Sequence, residues 1–334
     1  MFWRSIRLSV GATCAIVFLS QLIADSRCAV AQAARPPVAA PGAQPVAPAQ
    51  PVVPAQPRRP LPKPQPVSMK TRDGVQLAGT YFPSPLDKEV QKDAAAVILL
   101  HAYKGSRGDF NDLAMQLQAS GCAVLCPDLR GHGDSTRRSM PDGTERKLDP
   151  AMLTKQDLEA MVQYDVEACK SFLFEKHNAK ELNIEKLALV GAEMGGAIAV
   201  NWAAWDWHWP VLATGKQGQD VKAVVLLSPV WAFKGLPISQ AVGDRELVSR
   251  LAWFIAVGNQ EPRELSEAKR LFQSIERFFP TEASKAAIGL LPVETSLQGT
   301  KMLAARGVNA QIVKFIDAQV AKKSYAWADR KSPR

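Results

Sequence analysis

Leu189-Val190-Gly191-Ala192-Glu193-Met194-Gly195-Gly196 links an apolar run to a run of small residues through closely spaced glycines. An apolar run ends on Gly191, and an alanine-rich run able to form a helix starts after Gly195. Glycines on both sides of a short link suit a tight strand-to-helix turn, because the chain there must approach itself closely. Such a turn holds its central side chain up at the N-terminus of the following helix. That side chain is Glu193.

The rest of the chain alternates strand and helix. Residues 67–70 and 75–81 flank Asp73-Gly74, a hairpin signal. A continuous apolar run at 94–100 and largely apolar runs at 123–127, 187–191, 221–227, 253–257 and 288–293 read as buried parallel strands. Phe110, Leu113, Ala114 and Leu117 fall at helical spacing, as do Leu158, Val162, Val166, Cys169 and Leu173. Val308, Ile312, Phe315, Ile316 and Val320 mark a last amphipathic helix. A hairpin followed by βαβ alternation gives an α/β class with a mostly parallel central sheet and helices on both faces.

Four loops at strand ends carry the chemistry. His101-Ala102-Tyr103-Lys104-Gly105-Ser106 follows the first parallel strand, and Asp128-Leu129-Arg130-Gly131-His132-Gly133-Asp134-Ser135 follows the second. The Glu193 turn follows the third, and Gly258-Asn259-Gln260-Glu261-Pro262 follows the fifth. In this order they resemble the α/β-hydrolase superfamily, most closely the dienelactone-hydrolase-like and serine-aminopeptidase-like esterases. The resemblance spans roughly residues 68–321. It matches the loops to an H-G-x-x-G-S oxyanion loop, a D-x-R-G-H-G-x-S loop, a G-x-S-x-G nucleophile elbow and a G-x-x-D-P acid loop. Residues 232–250 occupy the place of the family's cap, which is minimal here.

The resemblance implies roles by position. Glu193 stands at the nucleophile, Glu261 at the acid, and Gln298 at the histidine, with Thr300 there if the register slips by two. The backbone N–H groups of Tyr103 and Met194 would form the oxyanion hole. Acyl transfer needs a serine, a histidine to take its proton, and an acid to orient the histidine. The last of four histidines is His208, so none stands where the base belongs. The expectation is a catalytically inactive pseudo-hydrolase with a binding or structural role in the cell envelope, any ligand being a small molecule, peptide or glycan. The alternative is a hydrolase of ester or alkyl (epoxide- or halide-type) substrates with Glu193 as carboxylate nucleophile, rescued by His132 or His101. A cation held by Glu193, Glu261 and Asp128 would lack any ligand spacing in the sequence. No cofactor or metal is expected. The simplest role for Asp128, Arg130 and His132 is to build their own loop.

Composition bounds the rest. Residues 1–33 read as an export signal or N-terminal anchor, with Arg4 and Arg7 ahead of an apolar run and small residues at Ala29, Ala31 and Ala33. Residues 34–67 hold 12 of the 24 prolines and read as an extended spacer. The expectation is an exported protein, periplasmic, secreted or anchored, that could touch a membrane or cell wall through this segment. The net charge of +9 lies at the two ends, including a basic tail at 322–334 read as solubilising, so nothing points to nucleic acid. Cys122 and Cys126, four apart on a strand, are ~13 Å apart, too far for a disulfide. Trp202, Trp205, Trp207 and Trp209 suggest either an aromatic platform or, more simply, a turn packed on the sheet. Residues 136–156, with Arg137, Arg138, Arg146 and Lys147, read as a solvated loop able to shape an entrance.

Overall fold

The computed structural model of the chain describes residues 60–212 and 215–330. The expected export segment, most of the spacer and the last four residues lie outside the described residues.

The chain opens with an antiparallel hairpin of β1 (Gln65–Lys70) and β2 (Val75–Phe82), with Met69 opposite Leu77. Its turn uses Gly74 at φ +90°, a conformation glycine adopts without strain. Six strands then run parallel: β3 (Ala95–Leu100), β4 (Ala123–Pro127), β7 (Asn183–Ala192), β8 (Val221–Leu227), β9 (Ala252–Gly258) and β10 (Ile288–Val293). Two short strands, β5 (Arg137–Ser139) and β6 (Glu145–Lys147), complete the ten-stranded sheet. Its order is β10-β9-β8-β7-β3-β4-β2-β5-β6, with β1 also on β2.

Side-chain alternation splits the core across the two faces. Ala96, Ile98 and Leu100 point to one cluster, Val97 and Leu99 to the other. The first face is covered by α2 (Lys155–Ala160), α3 (Val166–Asn178), α4 (Met194–His208) and α5 (Pro262–Glu276), the second by α1 (Asn111–Ala119) and α6 (Val308–Ile316). The helical stripe from Leu158 to Leu173 is buried as its spacing requires. One π-helical turn, Met161–Asp165, joins α2 to α3. Cys122, Cys126 and Cys169 are buried free thiols. No described helix is long and apolar enough to cross a membrane.

The ends differ from expectation. Part of the expected spacer belongs to the fold: Gln65 and Pro66 pair with Tyr81 and Thr80, and Gln118 donates to the Pro62 carbonyl. The described part of the basic tail, as far as Arg330, is a packed strap. Asn183 donates to the Tyr325 carbonyl at 2.9 Å, His177 Nε2 lies 2.9 Å from the Ala328 carbonyl, and Arg330 is ion-paired to Asp220 and Glu185. Within residues 136–156, Arg137–Ser139 and Glu145–Lys147 form an edge hairpin rather than an open loop, with Arg137, Arg146 and Lys147 exposed. The cap is indeed small, a two-strand hairpin (Ala232–Phe233 with Leu236–Pro237) and two short helices. The tryptophan run belongs to the end of α4, where Trp202 is buried and Trp207 Nε1 donates to the Val221 carbonyl.

Candidate active site

Glu193 sits between β7 and α4 at φ +46°, ψ −105°, a strained conformation for a residue with a side chain. Its backbone is pinned from both directions. Glu193 N–H donates to the Leu227 carbonyl, and Ala197 N–H donates to the Glu193 carbonyl. The glycines around it are demanded by contact: a β-carbon on Gly191 would meet the Gly195 carbonyl at 2.4 Å, and one on Gly195 the Leu100 carbonyl at 2.1 Å. The turn is thus built as an elbow although its central side chain is a carboxylate.

That side chain reaches toward Gly299, which has φ +57° and whose β-carbon, if present, would stand 2.5 Å from Glu193 Oε1. Burial raises the Glu193 pKa above the ordinary carboxylate value, and the nearby Lys301 ammonium acts the other way. Gln298, expected at the histidine position, lines the same cleft as Glu193. Ser228 Oγ donates to Gln298 Oε1 at 2.6 Å, and Gln298 Nε2 donates to the Gly258 carbonyl at 3.3 Å. Ser228 Oγ also accepts the Gly299 N–H at 2.8 Å. Thr300, the other position considered for the histidine, lies in the cleft near Asp109.

The structure does not bring Glu261 to this group. It is exposed at the N-cap of α5, outside the cleft. With no imidazole to hold, the residue at 298 is secured instead by Ser228 and the Gly258 backbone. Sequence reasoning missed Ser228, although it directly follows a parallel strand, where site residues of α/β sheets gather. It missed Gly299, Lys301 and Asp109 too.

The neighbouring histidines have other duties. His101 is fully buried; its Nε2 accepts the Leu129 N–H at 3.0 Å, so Nδ1 carries the proton toward the Ala102 carbonyl at 2.8 Å. Burial pushes its pKa down to about 4, so it is neutral with both nitrogens used. His132 is also buried and points Nδ1 at the Arg130 carbonyl, while its Nε2 has no partner. Arg130 binds Asp165 and Asp73, and Asp128 accepts the Arg107 and Asp134 N–H groups. These residues build their loop, as expected.

A cleft of about 980 Å³ opens over the elbow. Tyr103 lines it, and Met194 is the first residue of α4, so its N–H has no acceptor within the helix. Ala102 and Leu297 supply apolar wall, and Lys104, Asp109 and Lys301 supply charge. Among the described residues no cluster of His, Cys, Asp and Glu is arranged to hold a metal ion.

The sequence profile described as "Serine aminopeptidase, S33" matches residues 91–277, more than half of the chain. An uncharacterized protein of Mycobacterium tuberculosis is 28% identical over 143 residues, 43% of this chain and 42% of that protein. The chain therefore spans less than half the length of that relative. Among solved structures, an esterase of Rhizomucor miehei superposes with a TM-score of 0.53 at 14% identity, covering 79% of this chain and 86% of its own. A Pyrococcus furiosus esterase does so with 0.50 at 15% identity, covering 77% and 91%. At these identities the likeness is one of fold. The profile match says more: the chain belongs to the serine aminopeptidase S33 family of the α/β-hydrolase superfamily.

Proposed function

We propose that this is an exported, envelope-associated α/β-hydrolase-fold protein that binds a small molecule, peptide or glycan in the cleft over Glu193 and does not hydrolyse esters. The observation that carries the reading is the state of position 298. Gln298 spends its amide on Ser228 and Gly258, beside a carboxyl that cannot become an alkoxide. Neither half of a nucleophile–base pair is present, while the elbow that would hold it is intact. A missing general base alone typically costs about 10²–10⁴ in rate. The full-length protein should leave short p-nitrophenyl esters at the buffer rate. Turnover that disappears in Glu193→Ala would overturn the proposal.

One observation favours a second reading. The unpartnered Nε2 of His132 leaves a neutral base near the cleft loop, its ring centroid 6.0 Å from that of Tyr103. Ionised Glu193 would then attack an alkyl carbon, opening an epoxide or expelling a halide, and water would hydrolyse the resulting ester. The raised Glu193 pKa opposes this. Intact-mass analysis after exposure to an epoxide decides: an adduct on Glu193 supports the second reading, and an unmodified protein removes it.

A further inference from the structure

Two lysines and two carboxyl residues line the cleft: Lys104 and Lys301, Asp109 and Glu193. Neither lysine has a carboxylate within ion-pair distance among the described residues. Lys234 stands behind the cleft wall, its Nζ 4.4 Å from the centre of the Tyr103 ring and 3.2 Å from the Tyr103 hydroxyl, likewise without an acidic partner. Elsewhere the chain pairs its site-proximal cations: Arg107 with Asp128 and Asp134, and Arg130 with Asp165 and Asp73. The one exposed carboxylate of the cleft, Asp109, accepts the Ser106 N–H at 3.2 Å within its own loop and the Thr300 hydroxyl at 3.5 Å from the turn after β10.

The apolar side of the same cleft is formed by Ala102, the Tyr103 ring and Leu297, the last 40% exposed. A large concave space with an apolar wall and a few convergent charges suits an amphiphilic small molecule. The two lysines that line it, Lys104 and Lys301, select an anionic head group when Glu193 is uncharged.

Resting on the reading of the cleft as a non-hydrolysing binding site, we propose that its ligand is an organic carboxylate, with the anionic head between Lys104 and Lys301 and the apolar body against Tyr103 and Leu297. Glu193 faces the same space, so it must be uncharged, or be pushed to protonate, when the anion enters. The other charged or titratable groups around it are Tyr103, Lys104 and Asp109 from the loop after β3 and Lys301 from the turn after β10. Lys234 and His132 stand behind Tyr103. Ionisation of Glu193 therefore opposes binding, and affinity falls as pH rises through its titration.

The test is calorimetric titration of the full chain with hexanoate and phenylacetate, against hexanamide, phenylacetamide and inorganic phosphate. The carboxylates are expected to bind at least roughly tenfold more tightly than their amides. The exposed pair Lys104→Gln with Lys301→Gln should remove most of that difference while thermal unfolding stays unchanged. Glu193→Gln should keep carboxylate binding and flatten its pH dependence. Equal binding of amides and acids, or phosphate binding as strongly as hexanoate, would overturn the proposal, as would no carboxylate binding. Ester hydrolysis by the same preparation would remove instead the reading on which the proposal rests, so the two failures are distinguishable.

Discussion

A β-carbon at Gly299 would stand 2.5 Å from Glu193 Oε1 and 3.1 Å from its carboxyl carbon, at a backbone φ of +57°. Two costs therefore meet at one position, steric and conformational. Gly299→Ala should destabilise the fold by about 1–3 kcal/mol, the cost of a non-glycine residue held in a rare backbone region. In a Glu193→Ser background the steric part vanishes and the conformational part remains, so the measured loss should shrink. Denaturant unfolding of the four proteins in the cycle checks this, and equal losses in both backgrounds would contradict it. Glu193 itself carries a pH signature. Its folded pKa is raised, so the native state holds its proton more tightly than the unfolded chain does. Its contribution is complete below the unfolded value of about 4.3 and is lost as pH rises through the folded value. Glu193→Gln should therefore gain stability relative to wild type between acid and neutral pH. A difference that stays constant from pH 4 to 7.5 would contradict the assignment.

At the scale of elements, the C-terminal strap is the part the sequence concealed. Its lysines and arginines read as a solvated run, yet Tyr325 and Trp327 among them were the signal of packing. In the structure the strap closes a buried charge network. Lys170, with its side chain 3% exposed, binds Asp206 and Asp220, and Asp220 also binds Arg330 and lies 3.3 Å from Lys216. Removing residues 325–334 leaves Asp220 short of one cation and exposes the His177 and Asn183 contacts. Loss of one partner from a buried ion pair typically costs about 3–5 kcal/mol. The truncated chain should lose stability on that scale, visible as a lower urea midpoint, whereas removal of a solubilising tail would leave the midpoint unmoved. Acid sensitivity follows from the same network. Burial pushes the Asp220 carboxyl up, but Lys170, Arg330 and Lys216 outweigh it and hold it at about 2. Its folded pKa is depressed, so its stabilisation is present above the unfolded value of about 3.9 and fades as pH falls toward 2. Asp220→Asn should flatten that limb of the stability curve, and an unchanged acid limb would count against the network.

For the molecule as a whole, apolar runs and period-3.6 patterns were enough to place all six parallel strands and most of the helices that cover them, because strands buried on both faces and helices buried on one leave those patterns. The elbow was legible because only glycine survives its close contacts. What the sequence hid were relations set by tertiary geometry: that Glu261 turns to solvent, and that Ser228, 70 residues from Gln298, takes hold of it. Those relations say how the scaffold would recover chemistry. Glu193→Ser with Gln298→His supplies a nucleophile and a base at positions the fold already brings together, but gives the imidazole no acid, since Glu261 lies outside the cleft. In a serine triad, losing the orienting carboxylate costs about 10⁴ in turnover, so the double variant should show only weak activity on p-nitrophenyl butyrate. Ser228 already makes a 2.6 Å hydrogen bond to the side chain at 298 and receives the Gly299 N–H. It sits at φ +48°, a conformation that aspartate tolerates better than most residues. Adding Ser228→Asp should therefore raise the rate of the double variant by roughly ten- to a hundredfold, a partial recovery of the carboxylate's effect, while Ser228→Asn, equal in size but neutral, should not. If both third substitutions act alike, position 228 is merely packing. If only aspartate works, the orienting role can be supplied from the end of β8 rather than β9.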